Sequence, residues 1–181
     1  MKKLLHTAIV AAVALALLVP SGCKIVSGTY VVEETFYDLT PNGTGDYYYE
    51  ALDITDNSVW QDHKDDIKDI DNIGFEIWLN SSAASANNFN CYVDALASSL
   101  GGASSKSAVI AGATHVLVDV PMPAGKSFIG YAASFSHITN LSTLKTLGET
   151  GQFKFWAMAD VTTSSFTVDS IKVVVTLTAG T

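Results

Sequence analysis

Ser170-Ile171-Lys172-Val173-Val174-Val175-Thr176-Leu177 is the stretch on which the fold turns. Ile171, Val173, Val175 and Leu177 fall on one side of an extended chain. A period of two is what a strand with one face against a core requires, and three consecutive valines are stiff at χ1 and suit the pleated form. This is the best-defined strand of the chain. Working outward from it, the same period recurs. Phe153, Phe155 and Ala157 share a side; so do Val116, Val118 and Val120 within residues 114–120, and Ile73, Phe75, Ile77 and Leu79 within 73–79. Residues 29–37 and 47–54 are rich in aromatic and β-branched side chains and are separated by the turn-like Pro41-Asn42-Gly43-Thr44-Gly45. Residues 91–96 and 108–110 add shorter runs. Roughly eight strands are expected.

Two short helices interrupt them. Ser58-Val59-Trp60-Gln61 fits a capping box, with Ser at the cap and Gln three later. It opens a stretch through Ile70 in which Trp60, Ile67 and Ile70 can share a helical face. The second helix begins at an Asn140 cap, carries Leu141, Leu144 and Leu147, and stops at Gly148. Small and polar residues over 81–90 and 101–107 read as loops. Many short strands with turn signals between them predict an all-β domain, a β-sandwich with helical crossovers spanning 29–181; an open barrel is the alternative.

Charge narrows the partners. All ten cations are lysines, and the net charge is −8. Lys2 and Lys3 lie in the first 22 residues, which hold no acid, so the remainder sets eight lysines against eighteen acids, a charge of −10. Nucleic-acid recognition favours a basic face and arginine forks, so no nucleic-acid partner is expected. An acidic exterior also repels anionic headgroups, and charge alone will not hold this domain on a bilayer.

The N-terminus offers another means. Met1-Lys2-Lys3 is a positive start, residues 8–19 form an unbroken apolar run, and Pro20-Ser21-Gly22-Cys23 follows. This is the three-part layout of a secretory signal. Twelve apolar residues are too few for a hydrocarbon core that needs about 20. The ending resembles the lipobox of bacterial lipoproteins, with small Ser21 and Gly22 directly before Cys23; Pro20 stands where that pattern usually has Leu. The resemblance spans only the first 23 residues or so. It implies a signal peptide over 1–22, cleavage before Cys23, lipid on its thiol and new amino group, and a tether over 23–28. Two or more acyl chains anchor stably, at about 0.8 kcal/mol per buried methylene. Lys24 follows the cysteine, where enteric lipoproteins carry Asp for inner-membrane retention, so the resemblance implies outer-membrane delivery in the cell envelope. With Cys23 acylated, Cys91 has no disulfide partner in the chain; its strand context reads as a buried thiol.

No motif carries catalysis. Gly125-Lys126-Ser127 copies the tail of a phosphate-binding loop, but Val120 stands where the first glycine belongs and Pro123 supplies no amide donor. Ile129 defeats a serine-hydrolase elbow at the same serine. The segment reads better as a hairpin with a Pro-Ala-Gly tip. His63, His115 and His137 show no metal-ligand spacing. Asp53, Asp56, Asp62, Asp65, Asp66, Asp69 and Asp71 crowd the first helix and its flanks. Oxygen ligands of that kind suit Ca²⁺, with Asp62, Asp65, Asp66 and Asp69 the candidate cluster, against the plainer reading of a solvated acidic face. No other cofactor is expected.

Aromatic residues give the remaining hint. Trp78 alternates out of phase with Phe75 and Ile77, Trp156 out of phase with Phe153 and Phe155, and Tyr47-Tyr48-Tyr49 must divide between two faces. Outward Trp78, Trp156 and Tyr48 would suit stacking on a sugar or docking on a protein; strands covered on both faces would bury them instead. The sequence therefore predicts a membrane-tethered, non-enzymatic binding or structural module with an envelope protein or glycan as partner. A Ca²⁺- or carbohydrate-binding adhesion module and an envelope hydrolase are the alternatives. Mass spectrometry of the mature N-terminus from a bacterial host is expected to find diacylglyceryl-modified Cys23. An unmodified cysteine with the leader attached would refute the anchor.

Overall fold

The structure is a computed structural model and describes residues 27–37, 39–41, 47–82, 87–160 and 166–180. The expected leader and Cys23 lie outside these residues. Strand β1 (Gly28–Tyr37) is followed by β2 (Thr40–Pro41), β3 (Tyr48–Asp53), helix α1 (Ser58–His63), β4 (Ile67–Ser81) and β5 (Asn87–Ala95). Next come α2 (Lys106–Gly112), β6 (Thr114–Met122), β7 (Gly125–Ile129), α3 (Tyr131–Ser134), α4 (Leu141–Glu149), β8 (Gln152–Ala159) and β9 (Phe166–Ala179). The expected all-β sandwich is what forms. One sheet runs β1-β9-β4-β7 and the other β2-β3-β8-β5-β6. Every pairing is antiparallel.

The pairing is nested. β5 pairs with β6, β4 with β7, β3 with β8 and β1 with β9, while β4–β9 and β5–β8 knit the pairs into sheets. That is the strand order of a double-sheet jelly roll. Apolar alternation fills the space between the sheets. Ile171, Val173, Val175 and Leu177 of β9 are all fully buried, opposite Ile77, Phe75, Ile73 and Ile70 of β4. Phe153, Phe155 and Ala157 of β8 meet them from the second sheet, joined by Leu52, Phe89, Cys91 and Val93. Each such side chain contributes about 1.5–3 kcal/mol. Cys91 is buried as expected, and burial pushes its thiol well above the ordinary range, which keeps it unreactive.

Several elements depart from the sequence reading, each for a local reason. The first helix is capped by Asn57, whose side chain accepts from the Val59 amide at 3.0 Å, not by Ser58. It ends at His63, and a 3-10 turn at Lys64–Asp66 hands the chain to β4. Ile67 and Ile70 are strand residues. Register shifts at Ile67/Asp69 and Ile70/Asn72 insert extra residues, so Ile67, Ile70 and Ile73 recur every third position and imitate a helix. Residues 108–110, expected as strand, lie in α2, whose Ser105 cap accepts from the Ala108 amide at 3.2 Å. In β6 a register shift breaks the Val116/Val118/Val120 face: Leu117 is buried and Val118 is only half-buried. Gly125-Lys126-Ser127 opens β7, and since β6 and β7 belong to different sheets the turn before it is a corner, not a hairpin.

The chain between β7 and β8 closes the side of the sandwich. The Ser134 hydroxyl accepts from the Phe75 amide at 3.1 Å, where β7 no longer runs beside β4. Residues 137–139 then pair with β6, with Val118 N–H donating to His137 O and Thr139 N–H to Val116 O, so this edge is not left open. Asn140 does precede α4, but in a left-handed conformation, and its amide donates to His115 O at 2.9 Å instead of capping the helix. Past α4, Gly151 adopts φ +70°, and an added Cβ would lie 2.8 Å from the buried Trp60 ring. Gly151→Ala is therefore expected to lower stability by about 2 kcal/mol, read as an earlier urea midpoint; an unchanged midpoint would contradict this account of the turn.

Candidate functional site

The register of the first sheet sets a row of side chains across its outer face. Tyr37 of β1 lies opposite Ser170 of β9, Ser170 opposite Trp78 of β4, and Trp78 opposite Phe128 of β7. Tyr37 is 70% exposed and Phe128 53%. The Trp78 and Phe128 ring centroids are 4.7 Å apart and tilted by 37°. Serine between two large rings leaves a depression. The resulting groove, about 430 Å³, is lined by Thr35, Tyr37, Trp78, Asp169, Ser170 and Lys172.

Asp169 reaches this face because of a bulge. The pairing shifts between Trp78/Ser170 and Leu79/Val168, leaving Asp169 as the extra residue on β9. Strict alternation would have turned Asp169 inward; the bulge lets Val168 and Phe166 join the core and leaves the carboxylate exposed, where its Oδ1 accepts from Thr167 Oγ1 at 3.0 Å. Behind it, Lys172 Nζ is 3.0 Å from Glu76 and 3.8 Å from Glu33. The hydrogen bond to Glu76 raises the lysine above its ordinary range, with the charges of Glu76 and Glu33 adding to it. One cation is thus held between two carboxylates.

The second sheet carries a comparable row. Tyr49, Trp156, Tyr92 and His115 face one another in register across β3, β8, β5 and β6. This row is roofed. Trp156 points away from the sandwich interior, as its phase required, yet it is fully buried with Tyr47, Tyr92, Val109 and Met158. Residues 96–113 form the cover. Tyr47 OH donates to Ser104 O at 2.6 Å, and buried Lys154 donates to Ser98 O at 2.7 Å. Trp156 is accordingly a packing residue, as the covered-strand alternative has it, and not a surface aromatic; its Nε1 is buried without a hydrogen-bond partner, a cost of about 1–3 kcal/mol. Tyr48 is also internal in role. Its hydroxyl donates to Phe166 O at 2.7 Å and its ring meets Phe166 edge-on, and burial and then Asp169 raise its pKa.

Of the three aromatics singled out in the sequence, Trp78 alone lies in an open groove. Tyr37 and Phe128 were missed. Tyr37 could have been found by carrying the alternation of β1 outward from buried Val32; Phe128 lies on a five-residue strand whose start looked like a turn. The acidic cluster does not assemble. Asp62, Asp65, Asp66 and Asp69 are all exposed, and among the described residues no three His, Cys, Asp or Glu side chains group as a metal site. Asp53 instead accepts from the Thr55 amide and from Gln152 Nε2.

The histidines serve structural contacts. His63 stacks on Tyr30 at 3.6 Å, and His137 Nδ1–H donates to Val118 O at 3.1 Å. His115 stacks on Tyr92, and its Nε2–H donates to Asn90 Oδ1 at 2.9 Å; the amide orientation is fixed because Asn90 Nδ2 donates to Asp160.

No protein-family model matches the chain, and no curated protein matches it. Among solved structures it is similar to a chain of Desmodium yellow mottle tymovirus, at 10% identity and a TM-score of 0.33, over 91% of this chain and 93% of that one. A likeness that distant carries no role across. No helix among the described residues is long and apolar enough to cross a membrane.

Burial lowers the His115 pKa, against smaller raising effects from Leu117, Asp119 and Asp160. A folded value below the unfolded one means the unfolded chain takes up the proton first. Stability is therefore complete above about pH 6.5 and falls as pH drops through the window toward the folded value. NMR titration is expected to place His115 below free histidine, and His115→Gln to flatten that part of the stability profile. A value at or above the free-histidine range would refute the assignment.

Proposed function

We propose that this chain is a lipid-anchored binding module of the bacterial cell envelope, tethered through Cys23 and presenting the outer face of its four-stranded sheet as the recognition surface. The groove beside Trp78 is the observation that carries the reading. It offers the exposed Tyr37 ring, the half-buried Trp78 indole and a polar wall on a sheet, with exposed Phe128 packed against Trp78 next to it, in the volume range of small-ligand sites. Strand-borne rings lose little freedom on binding, which favours recognition by stacking. The lipobox-like ending at Cys23 supports the tether, and Lys24 favours the outer membrane. The reading is non-enzymatic, since the groove supplies positioning groups and the three histidines of the mature part are engaged elsewhere.

Two outcomes are expected in a bacterial host. Wild-type protein sediments with membranes, and Cys23→Ser moves it to the soluble exported fraction. After detergent has dissolved the lipids, wild type remains on the insoluble envelope about tenfold more than Trp78→Ala, the size of effect an anchoring aromatic gives. Equal release of the two proteins would remove the recognition surface from the reading.

A further inference from the structure

Resting on the reading that this face is the recognition surface, we infer that its ligand is an uncharged, pyranose-built glycan laid across the strands along Tyr37, Trp78 and Phe128. The row fits such a chain in shape. Tyr37 and Trp78 sit on strands two steps apart in the sheet, a separation of about 10 Å, with the small Ser170 between them. That distance suits the two ends of a disaccharide unit, and Phe128 extends the row beyond Trp78. Trp78 and Phe128 pack against each other, their centroids 4.7 Å apart, and Tyr37 stands two strands from Trp78, beyond Ser170. A cage around a quaternary ammonium would need rings turned toward a common centre.

The chemistry fits as well. A pyranose has an apolar face of C–H groups and a rim of hydroxyls. The negative face of an aromatic ring attracts the first, and the wall of the groove meets the second. Asp169 accepts from hydroxyls, and Thr35 and Ser170 can donate or accept. Charge selects among glycans. Lys172 is the one cation lining the groove and is held by Glu76 and Glu33, and Asp169 is the one carboxylate among the lining residues. A uronic-acid or phosphorylated chain would meet net negative charge here and on the molecule as a whole, which stands at −8. A protein partner would need about 800 Å² of matched surface per side, more than three rings supply.

The indole itself reports occupancy. Of the three tryptophans, Trp60 and Trp156 are buried, so a neutral quencher such as acrylamide reaches Trp78. The experiment uses the full mature protein in a detergent without a sugar headgroup. Cellohexaose, chitohexaose, xylohexaose and maltohexaose are titrated with acrylamide quenching and calorimetry as readouts, and an oligogalacturonate serves as the charged arm. At least one uncharged hexasaccharide is expected to shield Trp78. Tyr37→Ala and Phe128→Ala, both surface changes, are expected to weaken it about tenfold. Ile110→Ala, which alters an exposed side chain on α2, is expected to bind as wild type. Thermal melts confirm that each variant is folded.

The inference is overturned if no uncharged oligosaccharide shields Trp78, if the oligogalacturonate binds better, or if the folded Tyr37 and Phe128 variants bind as wild type does. Failure with every oligosaccharide while envelope retention still depends on Trp78 would reject the ligand class and keep the binding module. Loss of both would reject the module too.

Discussion

Between Ile67 and Ser81, β4 lies against β9 from Ala179 back to Phe166, and both faces of the first sheet take their phase from that ladder. A slip of one residue exchanges the faces of a strand. Here it would trade Ile73, Phe75 and Ile77 for Asn72, Gly74 and Glu76, and would set the core side of β9 against water. Each displaced apolar side chain costs about 1.5–3 kcal/mol, so the register is firmly specified. The pairing that buries Val173 and Val175 also sets Ser170 beside Trp78 and Lys172 beside Glu76. Core and groove are two sides of one alignment.

That alignment is reached late along the chain. β9 is the last strand and lies between β1, the first, and β4. Sheets made of such distant pairings fold slowly, because the chain entropy of closing long loops is lost before the contacts repay it. Until β9 docks, β1 and β4 present unpaired edges. Gly74 adds a further demand on β4: an added Cβ there would lie 2.6 Å from the Tyr131 ring and 3.1 Å from Phe135. A residue without a side chain is what lets α3 settle against the strand once β4 is in place.

Much of this was legible in the sequence. Unbroken alternation marked Ile171 to Leu177, Ile73 to Leu79 and Phe153 to Ala157, and all three runs line the core. The errors fall where the period is disturbed. Bulges turned Ile67, Ile70 and Ile73 into a helical spacing, and another displaced the expected face of β6. Strand pairing was not readable, because β1 and β9 find each other across the whole domain and no local pattern encodes it. Within the site, phase alone put Trp78 and Trp156 outside their cores, and in both cases that was right. Phase could not tell that one of them has a roof.

The two aromatic rows separate along that line. On the second sheet the polar atoms near the row are tied into the cover: Tyr47 OH donates to Ser104 O and Lys154 Nζ to Ser98 O, and Gly102 lets the loop approach so closely that a Cβ would lie 2.9 Å from Tyr49. Those rings serve as a second small core. On the first sheet the ion pairs run along the face instead, from Lys172 to Glu76 and Glu33, and Tyr37 and Phe128 keep more than half of their surface exposed. Exposed rings in register on a sheet face work against solubility and invite association. Carboxylates on the same face counter that tendency, since they repel a second acidic copy without excluding a neutral ligand. The face is therefore defined as much by Asp169 in the groove, and by Glu33 and Glu76 around Lys172, as by its rings.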